Sequence, residues 1–169
     1  MWRNLLILFP LLAYSWVHAT SFGRQETAAI RSVKGSPGIC LSEETKDRFP
    51  VGWVALSESY IKNPGGWSLV LKEGVSPLIL NAGECLVYGE IPDGYKLARY
   101  KVVVPGLKLQ KDRTYVFSIN SSDYPRDSYR VVFCVSENSD GSRDYLPYRR
   151  LSDGSELVPS CDSRLNRSY

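Results

Sequence analysis

The sequence predicts an all-β protein folded as one domain. Three observations carry that expectation. Apolar and polar residues alternate with period two over several short runs. Valine, tyrosine and phenylalanine dominate those runs, as a pleated half-buried surface favours. Turn residues separate them at intervals of roughly 8–12 residues, and no stretch sustains a helical period.

The chain opens on a different pattern. Residues 1–19 carry Arg3, then the apolar run Leu5–Ala13, then Val17-His18-Ala19 with a small residue last. A charged start, an apolar middle and a small-residue end make a cleavable secretory signal. The run falls short of the roughly 20 residues that span a bilayer, so no membrane span is expected. Cleavage after Ala19 removes His18, the chain's one histidine. No cysteine adjoins that cut, so no lipid anchor is expected. Residues 20–36 read as an N-terminal linker, in which Gln25–Arg31 has at most a turn or two of helix.

Residues 37–150 hold the strands. Val51–Ile61 places Val51, Trp53 and Ala55 on one face. Trp67–Lys72 and Ser76–Asn81 are short and apolar. Glu84–Glu90 sets Cys85 and Val87 against Leu86 and Tyr88. Tyr100–Pro105 aligns Tyr100, Val102 and Val104. Arg113–Asn120 aligns Tyr115, Phe117 and Ile119, and Ser128–Glu137 aligns Tyr129, Val131, Phe133 and Val135. Turns fall at Asn63–Gly66, Asn81–Gly83, Pro92–Gly94, Ser121–Asp127 and Ser139–Ser142, where glycine and proline supply turn geometry. Seven or eight such strands fit an immunoglobulin-like antiparallel β-sandwich. Tyr115 follows Leu107, Leu109 and a charged turn. It reads equally as a core aromatic or as the tyrosine that bonds back across a sandwich corner. Trp53 and Trp67 read as packing residues. Residues 151–169 form a polar tail.

Composition narrows the chemistry. The formal charge of +3 loses Arg3 with the leader and falls to +2, too little to argue for nucleic acid. Cys40, Cys85, Cys134 and Cys161 all lie beyond the leader. An even number in an exported chain predicts two disulfides, and no C-x-x-C pair suggests zinc. Three pairings are possible; Cys40–Cys85 with Cys134–Cys161 is the one expected here, its second bridge tying down the tail.

Without His18 no histidine-based nucleophile set or metal site forms. Glu43 and Glu44 are adjacent, so on a strand they point to opposite faces. Asp140 and Asp144 flank a turn, where acids serve local hydrogen bonds. The expectation is therefore a protein that is not an enzyme and takes no metal or cofactor. Two sequons occur, Asn120-Ser121-Ser122 and Asn166-Arg167-Ser168.

Several landmarks stand in a particular order: "GICLS" (Gly38–Ser42), the Trp53 strand, "LILNAGECLVYGE" (Leu78–Glu90), "KDRTYVFSIN" (Lys111–Asn120) and "YRVVFCVSENSDG" (Tyr129–Gly141). This order resembles a family of periplasmic type VI secretion immunity proteins, many of them lipoproteins. The likeness covers roughly Gly38 to Arg150, and this chain lacks the lipid-attachment cysteine of many members. The resemblance implies a soluble periplasmic protein that captures a toxin effector stoichiometrically. Capture needs aromatic or arginine anchors. Tyr60, Tyr124, Arg126, Tyr145, Tyr148 and Arg149 are the candidates on loops and strand ends. The alternative is a secreted ligand- or carbohydrate-binding β module, which a row of exposed tryptophans would favour.

Overall fold

The computed structural model describes residues 23–59, 61–62, 64–98, 107–150, 153–154, 156–157 and 161. The leader, the Tyr100–Pro105 run and most of the tail lie outside the described residues. All regular structure described is β. In chain order the strands are β1 (Gln25–Thr27), β2 (Ala29–Val33), β3 (Ser36–Cys40), β4 (Phe49–Glu58), β5 (Gly66–Leu71), β6 (Ile79–Leu80) and β7 (Cys85–Val87). Then follow β8 (Tyr95–Leu97), β9 (Thr114–Ser121), β10 (Ser128–Glu137), β11 (Arg143–Pro147), β12 (Arg149–Arg150) and β13 (Glu156–Leu157). Among the described residues no helix is long and apolar enough to cross a membrane.

The larger sheet runs β1-β10-β9-β4-β5-β8, with β11 also on β10 and β6 also on β4. Strands β1 and β11 share one edge of β10, end to end: β1 pairs parallel to Ser128–Arg130, and β11 pairs antiparallel to Phe133–Glu137. A second sheet runs β2-β3-β7, and β12 pairs with β13. The expected linker 20–36 thus needs correcting. It carries β1, β2 and the first residue of β3, and Gln25–Arg31 is extended rather than helical. The reason is tertiary. Gln25–Thr27 finds open backbone groups on β10, and Ala29–Val33 finds them on β3.

The period-two runs on β9 and β10 account for the core. Tyr115, Phe117 and Ile119 are fully buried, as are Phe133 and Val135, with Tyr129 and Val131 nearly so. They join Val51, Val54 and Leu56 of β4 and Leu69 of β5. Ile39 and Leu86 of the smaller sheet, with Leu41, belong to the same cluster, so both sheets share one core. Burying each such side chain contributes about 1.5–3 kcal/mol.

Strand β4 corrects the expected face. Val51 opposes Ser121 while Trp53 opposes Asn120, so Gly52 is an extra residue, a β-bulge. The bulge reverses the alternation beyond it. Val54 and Leu56 turn inward, and Trp53 turns to solvent, 39% exposed. Gly52 suits the site because a Cβ there would lie 2.8 Å from Ser122 Cα. Trp67 does pack, edge-on to Tyr88 and Phe117.

Local bonds fix the corners. Lys34 and Gly35 both take positive φ (50° and 81°), the two-residue turn that matches strand twist between β2 and β3. The Tyr145 hydroxyl donates to the Gly35 carbonyl at 2.7 Å, joining β11 to that hairpin. The Tyr115 hydroxyl accepts from the Gln110 amide at 2.8 Å and donates to the Lys108 carbonyl. Tyr115 is thus a core ring whose hydroxyl also bonds back to the backbone of the turn before its strand.

The four cysteines form Cys40–Cys85 and Cys134–Cys161. Cys40 and Cys85 stand opposite each other on β3 and β7, with Cα atoms 4.0 Å apart. Cys134 on β10 holds residue 161, with a Cα separation of 6.1 Å. Two disulfides are compatible with an exported protein in an oxidising compartment.

Candidate binding surfaces

The β9–β10 connection, Ser121–Asp127, presents two of the expected anchors together. Tyr124 is 70% exposed and Arg126 is exposed beside it. The loop is braced from within. The Ser121 hydroxyl accepts from the amides of Asp123 and Tyr124, each at 3.1 Å. The Asp127 amide donates to the Tyr124 carbonyl at 2.7 Å, and the Ser121 amide donates to the Asp127 carbonyl. Serine and aspartate hold turns in this way without help from a sheet ladder.

The N-terminal segment braces the loop from outside. The Arg24 amide donates to Asp127 Oδ1 at 2.8 Å, and the Ser128 amide donates to the Arg24 carbonyl. Gly23 lies so close that a Cβ on it would overlap the Arg126 backbone. The Arg24 guanidinium pairs with Glu26 at 3.0 Å and with Asp47 at 3.4 Å. The Glu26 carboxylate, chiefly, pushes the Arg24 pKa further up. The two carboxylates thus hold the Arg24 side chain, while its backbone holds the loop.

The remaining anchors are not gathered there. Tyr145 needs correcting as a docking residue: it is 7% exposed, its ring packs edge-on to Phe133 and its hydroxyl is spent on Gly35. Tyr148 is half-buried, its hydroxyl 2.8 Å from Thr114 Oγ1. Arg149 lies on β12, away from the β9–β10 connection in sequence. Tyr60 falls outside the described residues.

The exposed indole of Trp53 is the surface feature that alternation concealed. One signal for it was present, an isolated glycine inside a strand pattern, which marks bulges. Around Asp140, the Ser142 hydroxyl and amide hold the carboxyl below its usual range. Asn138 Nδ2 donates to Ser142 Oγ and Asp144 Oδ2, both at 3.0 Å, so these polar groups serve the β10–β11 turn. Among the described residues no group of three His, Cys, Asp or Glu side chains could hold a metal ion.

No family model, curated protein or solved structure matches this chain.

Proposed function

We propose that this chain is an exported protein-binding module, a periplasmic immunity protein that neutralises a type VI secretion toxin effector by stoichiometric capture. The observation that carries this reading is the β9–β10 loop. An exposed tyrosine and an exposed arginine, two residues apart, lie on a turn braced by its own hydrogen bonds and by the N-terminal segment. Rigid aromatic and guanidinium anchors bind proteins at low entropic cost. The two disulfides suit a protein that works outside the cytosol. In this reading the two sheets form an immunoglobulin-like sandwich, supported by their shared core and by the bond from Tyr115 back across its corner.

The test expresses the chain with its leader and challenges the cells with the toxin effector encoded by the neighbouring gene. Protection, with a one-to-one complex on size exclusion, is the expected result. The double variant Tyr124→Ala, Arg126→Ala should weaken the complex by about tenfold or more. Absence of both protection and complex ends the proposal.

A second reading is a secreted carbohydrate-binding module. One observation favours it: the Gly52 bulge turns Trp53 outward, where it is 39% exposed.

A further inference from the structure

Strand pairing lines up a second set of side chains on the face of the larger sheet that carries Trp53, a face on which Ser128 and Ser68 are buried and Trp53, Gln25, Lys96 and Arg130 are exposed. Directly opposed residues share a face, as do residues two apart along a strand. Trp53 on β4 opposes Asn120 on β9, which opposes Ser128 on β10, which opposes Gln25 on β1. In the other direction Trp53 opposes Val70, which opposes Lys96 on β8. In the next row Ala55 opposes Ser118, and Ser118 opposes Arg130.

Three properties of this face point to a ligand. Trp53 stands near its middle, turned outward by the Gly52 bulge, and bulges commonly re-aim side chains at functional positions. Around it lie side chains suited to hydroxyl groups: the amides of Asn120 and exposed Gln25, and the hydroxyl of Ser118. The charges within these two rows are Lys96 and Arg130, both exposed, with no carboxylate among their described members. Neither cation joins the ion pairs formed among the described residues. From β8 to β10 is four strand steps, about 19 Å at strand spacing.

We infer that this face binds an acidic oligosaccharide, a sugar chain bearing carboxylates. A pyranose ring stacks on the Trp53 indole, the amides and Ser118 take its hydroxyls, and Lys96 and Arg130 meet carboxylates on either side. The inference rests on the carbohydrate-binding reading and adds the charge of the ligand. It does not depend on capture at the β9–β10 loop.

Calorimetric titration of the full secreted chain tests it, with oligogalacturonate and a neutral cello-oligosaccharide as probes. Saturable binding of oligogalacturonate is expected, at least about tenfold tighter than the neutral chain and weakening with salt. Trp53→Ala should lose about tenfold or more, while Trp53→Tyr retains most of the affinity. Lys96→Gln with Arg130→Gln should remove the preference for the acidic chain, and Tyr124→Ala should leave it unchanged. Equal binding of both probes, or of the neutral chain alone, overturns the acidic ligand and leaves the carbohydrate reading standing. Binding of neither probe removes both, as does full affinity in Trp53→Ala.

Discussion

At the scale of single residues, tyrosine recurs as both core and connector. The Tyr88, Tyr95 and Tyr145 hydroxyls reach backbone partners far away in sequence, and that of Tyr115 reaches the turn just before its strand. Burial raises the pKa of all four, and that of Tyr129 as well. The sign of the consequence is definite. In the folded chain these phenols keep their protons above about pH 10, where the unfolded chain releases them. Above that value the unfolded state binds fewer protons, so stability is full below it and falls as pH rises. The urea midpoint should therefore drop as pH rises above about 10. Phenolate absorbance should lag that of the unfolded chain, and a flat midpoint would contradict the assignment. Burial of Tyr115 could be read from alternation along β9. The hydroxyl bond of Tyr145 to Gly35 could not, because it joins residues 110 positions apart.

At the scale of elements, the strongest runs became the central strands. Strand β9 follows the expected alternation throughout, and β10 follows it except at Ser128 and Cys134, which are buried on the opposite face. Strand β4 departs from it at Gly52, where one extra residue sends Trp53 outward and Val54 inward. The bulge makes a firm prediction. In Gly52→Ala the new Cβ meets backbone atoms of Ser122 and Ser121, which cannot rotate aside as a side chain would. The cost should be about 1–3 kcal/mol, the range for forcing atoms into a packed site. Chemical denaturation gives that value directly, and an unchanged midpoint would show the approach to be loose. The short strands β1, β6, β8 and β11 have too few residues for a pattern. Neighbours that offer open backbone groups define them instead.

At the scale of the whole molecule, a single core joins the sheets and two disulfides restrict the unfolded chain. Cys40–Cys85 spans 45 residues and Cys134–Cys161 spans 27. Chain entropy alone then assigns about 4 kcal/mol to the first and about 3.5 kcal/mol to the second. Replacing either pair by alanine should lower the denaturation midpoint, the first pair by slightly more. Full stability under reducing conditions would contradict both. The all-β class, most of the alternating core of β9 and β10 and the even set of cysteines were legible in the residues alone. Each of these is a local or compositional property, set by side-chain period and residue type. The three-dimensional fold was needed to show that Gln25–Thr27 and Ala29–Val33 are strands, that Trp53 faces water while Tyr145 does not, and that Arg24 braces the β9–β10 loop. Those outcomes depend on which backbone edges and side chains meet across long separations, and such meetings leave no period in the chain.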